Sequence, residues 1–170
     1  EVAQIHLVKE PGAYREQITF FKEPVTRIAL CPHPGKNGFL YQRDEGGNEQ
    51  FQIYYFNRLT GTSTLLTDGK SRNSNYLWNK KGDKIAFCST RRNGRDLDFY
   101  ITPLENTAAS KLILENKGNG WGIIDWSDDE TQMVVVNYLS INEAKLYLLT
   151  LSSGKLDEIR EIYQKSALNQ

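Results

Sequence analysis

The stretch LWNKKGDKIAF (residues 77–87) decides the fold, because it returns further along the chain as DWSDDETQMVV (residues 125–135). Each copy places a tryptophan before a polar turn and an apolar run after it, and the two copies lie 48 residues apart. A looser first copy spans residues 30–41. Repetition at a period of this length is typical of solenoid, propeller and array architectures.

Two further markers repeat with the same period. One is a strand-like segment with an aromatic ring at its centre, and its copies are centred on His6, Tyr54, Tyr100 and Tyr147. The other closes each unit, and its copies occupy residues 17–19, 65–67, 112–114 and 157–159. Three markers that share one period indicate a structural repeat.

Each unit has the pattern of four short strands. Aromatic and β-branched residues dominate the strand positions, and Gly, Asn, Asp and Ser dominate the joints. Val25–Cys31, Asn75–Trp78 and Gly122–Trp126 are the expected first strands, and Trp78 and Trp126 are expected in the core. Four strands at a period near 47 predict an all-β fold, a β-propeller built from four-stranded antiparallel blades.

The repeat count predicts about three and a half blades. The expected units are residues 1–20 (the outer two strands of a first blade), 21–69, 70–116 and 117–159, followed by a tail or the start of a further blade at 160–170. Propellers typically close with four to eight blades. An arc of three and a half leaves apolar faces and strand edges open, so we expect an incomplete ring that belongs to a larger protein.

The composition is that of an ordinary globular protein. Hydrophobic residues make up 39% of the chain, charged residues make up 25%, and the formal net charge is zero. We therefore expect neither nucleic acid nor a membrane surface as a partner. Cys31 and Cys88 are expected to be buried thiols. The sequence leaves the compartment open and slightly favours the cytoplasm over the periplasm.

The sequence contains no recognisable catalytic motif. A nucleophile elbow requires Gly-x-Ser-x-Gly, and no such string occurs. His6 fits a packing position and His33 fits a turn. The acidic segment at residues 44–49 lacks the alternating ligands of a calcium loop, and Thr64 stands where a phosphate loop ending at Ser71 needs glycine. We predict no catalytic residue, no cofactor and no metal site.

The segment from Trp78 to Tyr100 resembles the TolB-type propeller repeat, with Asn79–Lys81 and Asp128–Glu130 departing from its usual turn. Over residues 2–159 the chain resembles the N-terminal propeller of prolyl oligopeptidase-family serine peptidases, of the dipeptidyl aminopeptidase and acylaminoacyl-peptidase kind. The strings that carry this resemblance are QITFF (17–21), RDEGGNE (43–49), LTDG (66–69) and SINE (140–143).

This resemblance implies a role without catalysis in the chain itself. In that family the propeller caps a C-terminal α/β-hydrolase domain with a Ser-Asp-His triad, and it restricts entry to small peptides. The implied partners are that hydrolase domain of the same parent chain and peptide substrates in transit. None of the family's catalytic residues maps onto this sequence. The alternative is a TolB-like non-catalytic scaffold that binds proteins.

The longest loops are expected on one shared rim of the propeller. They are Arg43–Gln50, Thr90–Leu97 and Leu139–Ala144. The charged residues predicted to face a partner domain or a peptide are Arg43, Asp44, Glu45, Arg92, Arg95 and Glu143. The alternative is that each of them is an ordinary solvated loop residue.

Overall fold

The structure is a computed structural model that describes residues 2–159 and contains fourteen β-strands and one turn of 3-10 helix, Thr107–Ala109. Sheet I consists of β1 (His6–Val8) and β2 (Arg15–Gln17). Sheet II consists of β3 (Arg27–Leu30), β4 (Gly38–Arg43), β5 (Gln52–Asn57) and β6 (Thr62–Leu65). Sheet III consists of β7 (Asn73–Trp78), β8 (Lys84–Ser89), β9 (Asp98–Pro103) and β10 (Lys111–Leu114). Sheet IV consists of β11 (Trp121–Trp126), β12 (Gln132–Ser140), β13 (Glu143–Thr150) and β14 (Lys155–Glu158).

Every sheet is an antiparallel meander in which consecutive strands are neighbours. Sheets II, III and IV have four strands each, sheet I has two, and the four sheets do not close into a ring. The predicted fold class, a partial β-propeller of four-stranded blades, is therefore confirmed. The expected tail at residues 160–170 lies outside the described residues.

Three hydrophobic clusters hold the sheets together face to face. The sequence of strand β8 is apolar because its side chains face two neighbouring sheets. Ile85 and Phe87 point toward sheet II, whereas Ala86 and Cys88 point toward sheet IV. Successive strand residues face opposite sides, so a strand between two sheets buries every position. All four of these side chains are fully buried. Sheet III is therefore an inner layer of the described arc.

Sheets II and III are also joined by hydrogen bonds from buried aromatic side chains. The Tyr76 hydroxyl donates to the carbonyl oxygen of Arg27 at 2.8 Å, and the Trp78 indole donates to that of Ala29 at 3.1 Å. Burial raises the pKa of Tyr76, so its hydroxyl remains a donor. Trp78 and its repeat partner Trp126 are both buried, which confirms the prediction that they belong to the core.

The side chain of an asparagine closes the turn between β7 and β8. The Asn79 side-chain carbonyl accepts the backbone N–H groups of Asp83 and Lys84, each at 3.0 Å. Gly82 has φ +63°, and a Cβ at this position would overlap the Sγ of Cys31, the residue that follows β3 of sheet II. At the same place in sheet IV, Glu130 has φ +60°, and its carboxylate pairs with Lys84 of sheet III.

The two ends of the arc expose apolar side chains. Ile28 and Leu30 lie on β3, the first strand of sheet II, and Leu30 is 74% exposed. Ile124 and Leu146 are exposed in sheet IV.

Within residues 2–159, no helix is long and apolar enough to cross a bilayer.

Candidate interaction rim

The connections between second and third strands lie at one edge of the arc. Strands alternate in direction within each meander, so β4–β5, β8–β9 and β12–β13 connect at the same end of their sheets. The connections from a fourth strand to the next sheet, 66–72 and 115–120, reach that end as well. We call this edge, formed by residues 44–51, 66–72, 90–97, 115–120 and 138–143, the interaction rim.

Arg43, predicted to face a partner, is held inside the fold. Its guanidinium lies 4.9 Å from the ring centres of both Phe21 and Tyr54. The same group forms an ion pair with Glu23 at 3.3 Å. Cation–π contacts of this kind favour one fixed orientation of the guanidinium. Arg43 thereby connects the segment after sheet I to sheet II.

Asp44 closes the loop that it begins. Its carboxylate is buried and accepts the backbone N–H of Glu49 at 3.0 Å. Gly46, Gly47 and Glu49 all have positive φ, which lets the backbone turn back within a few residues. Glu45 is exposed at the tip of this loop. Of the two acidic residues predicted to face a partner from this loop, only Glu45 is presented to solvent.

Arg92 also serves the fold, because it neutralises a buried carboxylate. Two of its nitrogens donate to the fully buried Asp98 at 2.8 and 3.0 Å, and one donates to the carbonyl oxygen of Asn116 at 3.1 Å. The ion pair raises the pKa of Arg92. This bidentate geometry ties loop 90–97 to the connection that leads into sheet IV.

Asp96 anchors the same loop from the other side. Its carboxylate accepts the backbone N–H of Gly118 at 2.8 Å and the Asn93 amide at 2.7 Å. The Gly118 N–H is the main cause that lowers the pKa of Asp96 to about 2. Arg95 donates to Asp96 at 3.2 Å, but its own side chain is 82% exposed. Arg95 therefore remains available on the rim.

The segment Leu139–Ala144 was expected to be a loop, and that expectation is wrong. Strands β12 and β13 continue through it and leave a two-residue turn, Ile141–Asn142. The pairing extends to Ser140 opposite Glu143. Glu143 is exposed at the start of β13. Its ladder has eight residue pairs, against six in the corresponding hairpins of sheets II and III, where longer loops connect the strands.

The hairpin tip carries an apolar patch that sequence reasoning missed. Ile141 is 86% exposed, and Tyr138 and Leu139 are also exposed. We call these three residues the hairpin tip. A signal was present, because apolar residues continue from Met133 to Ile141 with few interruptions, which is unusual for a solvated loop. Clustered exposed apolar side chains mark interaction surfaces more often than single ones do.

The reactive side chains of residues 2–159 form no metal-binding cluster. Within residues 2–159 there is no group of three His, Cys, Asp or Glu residues that could hold a metal ion. Both cysteines are free: Cys31 is half-buried, and burial raises the pKa of the Cys88 thiol to about 12. A thiol with that pKa is protonated at neutral pH and is a weak nucleophile.

The comparisons with known proteins bear on the fold. No family model matches the chain, and no curated protein matches it in sequence. Among solved structures, TolB from Acinetobacter baumannii superposes with a TM-score of 0.71 at 16% identity, covering 94% of this chain and 38% of TolB. The chain has the fold of a TolB-type β-propeller.

Propeller domains of peptidases share this TolB-type fold. The tricorn protease matches with a TM-score of 0.70 at 11% identity, covering 91% of this chain and 20% of the protease. An acylaminoacyl peptidase matches with a TM-score of 0.59 at 14% identity, covering 81% of this chain and 25% of that one. The chain thus spans less than two thirds of each of these structures.

Proposed function

We propose that the chain is a non-catalytic propeller segment of a serine peptidase. In this proposal it docks on a C-terminal α/β-hydrolase domain and limits which peptides reach the active site. Support comes from the likeness to the propellers of acylaminoacyl peptidase, prolyl endopeptidases and the tricorn protease. The blades would comprise residues 21–69, 70–116 and 117–159, preceded by the outer strands at 1–20.

One observation carries the docking part of the proposal. The hairpin tip exposes Tyr138, Leu139 and Ile141 on the same rim as the charged residues Glu45 and Arg95. The hairpin tip lies on sheet IV at one end of the rim, and Arg95 and Glu45 follow on sheets III and II. Protein interfaces combine apolar and charged areas of this kind. The hairpin tip would pack against the partner domain, and the charged residues would set its orientation.

The six predicted rim residues divide into two roles in this proposal. Glu45, Arg95 and Glu143 are exposed and would contact the partner domain or a peptide in transit. The other three would act indirectly by holding the loops in shape, since their side chains are engaged within the chain. Those three are Arg43, Asp44 and Arg92.

A TolB-like protein-binding scaffold is the second candidate. The likeness to TolB over 94% of this chain supports it, and the same hairpin tip would then bind a separate protein. Both candidates use the rim and neither requires catalytic residues in the chain. They differ in whether a hydrolase domain belongs to the same polypeptide.

The deciding experiment reads the coding sequence on both sides of this segment and labels the full-length protein with a fluorophosphonate probe. The peptidase proposal expects a downstream Gly-x-Ser-x-Gly elbow, followed by Asp and then His, and labelling of one serine outside these 170 residues. Replacement of that serine by alanine is the control and should abolish labelling. A reading frame without a hydrolase domain, and no labelling, would favour the scaffold.

A further inference from the structure

Strand β1 of sheet I has a free edge. It pairs with β2 on one side and has no neighbouring strand on the other side among residues 2–159. The Ile18 N–H donates to the carbonyl oxygen of Ile5 at 2.9 Å, so Ile5 is bonded toward β2. Because ladder hydrogen bonds alternate along an antiparallel pair, His6 and Val8 direct their N–H and C=O groups away from β2. The free edge therefore presents backbone donors and acceptors in strand geometry.

Sheet II shows what such an edge pairs with. The residues 48 positions after His6 and Val8 are Tyr54 and Phe56, which lie in β5. Strand β5 pairs with β4, the second strand of its sheet, and Tyr54 lies opposite Tyr41. Sheet I contains no strand at the corresponding place beside β1. The groups on the free edge are those that a second strand would bond.

The face of β3 is uncovered at the same end of the arc. Ala29 and Cys31 pack into the cluster between sheets II and III, so Ile28 and Leu30 point to the side of sheet I. These two side chains are 50% and 74% exposed. Sheet I covers the same face of β4 and β5 and leaves that of β3 open. By contrast, β7 of sheet III lies over the opposite face of β3.

The backbone ahead of β1 follows the course of a connection between a second and a third strand. The carbonyl oxygen of Ala3 accepts the Val25 N–H at 2.9 Å. In the next unit, the carbonyl oxygen of Phe51 accepts the Asn73 N–H at 3.1 Å. Phe51 lies between β4 and β5. The equivalent contact at Ala3 therefore directs the chain toward the vacant place beside β1.

We infer that the free edge of β1 and the uncovered face of β3 form one acceptor site for a β-hairpin, which completes sheet I as a four-stranded blade. The second strand of the hairpin runs antiparallel to β1 and bonds to His6 and Val8. Its first strand covers Ile28 and Leu30. The hairpin belongs to the part of the parent protein that precedes β1. This site rests on the proposed larger propeller, but it uses neither the interaction rim nor a hydrolase domain.

The test uses the full 170-residue chain with Ile124→Lys and Leu146→Lys, which we expect to prevent association through the open face of sheet IV. The probe is a synthetic peptide of residues 121–137, the β11–β12 hairpin. In sheet IV, Val135 of this hairpin lies opposite Tyr147, the repeat equivalent of His6. The bound peptide should therefore place Val135 opposite His6.

Amide hydrogen exchange, followed residue by residue with NMR, reports whether the edge becomes paired. Exchange at His6 and Val8 should slow at least about tenfold when the peptide saturates, because their N–H groups gain ladder hydrogen bonds. Leu7 is the internal control and should change less, since its N–H already faces β2. Fusing the peptide to the N-terminus of the chain raises its effective concentration and should give the same protection.

Two proline variants separate the free edge of β1 from the outer edge of β2. Val8→Pro removes an N–H of the free edge without breaking the β1–β2 ladder, and it should weaken peptide binding about fivefold, the effect of one hydrogen bond. Arg15→Pro is the matched control: Arg15 lies opposite Val8, and its N–H points away from β1. Binding to the folded Arg15→Pro chain should be unchanged. Ile28→Lys combined with Leu30→Lys should also weaken binding.

The acceptor site is overturned if neither the peptide nor the fusion slows exchange at His6 and Val8, or if Val8→Pro and Arg15→Pro bind the peptide equally. Unchanged binding to the Ile28→Lys/Leu30→Lys chain would overturn the covering of β3. A parent coding sequence without two strand-like segments ahead of β1 would overturn the source of the hairpin. None of these results depends on serine labelling, so the acceptor site and the proposed peptidase function fail separately.

Discussion

Buried and half-buried charges on the rim determine the loop shapes residue by residue. Asp98 is fully buried and is neutralised by Arg92, six residues earlier in the chain. Asp96 takes backbone donors from the next connection instead. Charged residues that look like solvent-facing loop residues in the sequence therefore include several that the fold requires.

The lowered pKa values of Asp96 and Glu130 predict how the free energy of unfolding changes with pH. Hydrogen bonds from the Gly118 N–H and from Lys84, respectively, are the main causes that lower each pKa to about 2. Carboxyl groups in unfolded chains titrate near pH 4. Both groups therefore stabilise the fold above that range, and the contribution is lost as pH falls from about 4 toward 2.

Urea unfolding at pH 7, 4 and 2.5 measures this effect. The parent chain should lose more of its free energy of unfolding between pH 4 and 2.5 than Asp96→Asn or Glu130→Gln does. Asp128→Asn is the matched control, because the Asp128 carboxylate is mostly exposed in an ion pair with Lys80. Identical pH profiles for all four proteins would contradict the prediction.

The two repeat tryptophans form a natural pair for measuring one hydrogen bond. Trp78→Phe removes the donor to Ala29, whereas Trp126→Phe removes a donor that has no acceptor in the described chain. Both changes remove the same atoms from a buried site. Trp78→Phe should therefore cost about 1 kcal/mol more in free energy of unfolding, measured by urea denaturation. Equal losses would show that the Ala29 hydrogen bond adds nothing.

Strands and turns were predictable to the extent that they repeat. The recurrence of Trp78 at Trp126 located the first strands, because both occupy the same buried position between sheets. The extended hairpin was not predicted, since its Ile141–Asn142 turn lacks the glycine that usually marks a tight turn. The engagement of Arg92 by Asp98 was also missed, because adjacent charges in a sequence do not show which of them is buried.

Two turn glycines allow the energetic cost of a left-handed backbone to be distinguished from the cost of close packing. Gly46 and Gly82 both have φ near +62°, but only Gly82 lies against another part of the fold, the Sγ of Cys31 just after β3. Gly46→Ala should destabilise by about 1–2 kcal/mol from the left-handed backbone alone. Gly82→Ala adds overlap across the seam and should cost at least about 1 kcal/mol more. Urea denaturation of both variants tests this, and an equal loss would contradict close packing at Gly82.

Residues 2–159 form a stack of sheets, and each sheet buries one face against the next. Sheet III is covered on both sides, whereas sheet IV leaves Ile124 and Leu146 exposed. Apolar sheet faces and unpaired strand edges promote association. The 170-residue chain should therefore be only marginally stable and should self-associate through the open face of sheet IV.

Sedimentation velocity across a range of concentrations tests this stacking account most directly. We predict concentration-dependent association of the 170-residue chain and its loss in the Ile124→Lys/Leu146→Lys double variant. Ile141→Lys on the hairpin tip is the matched control and should still associate, because it leaves the open face intact. A parent chain that stays monomeric at every concentration and unfolds in one sharp, reversible transition would contradict the account.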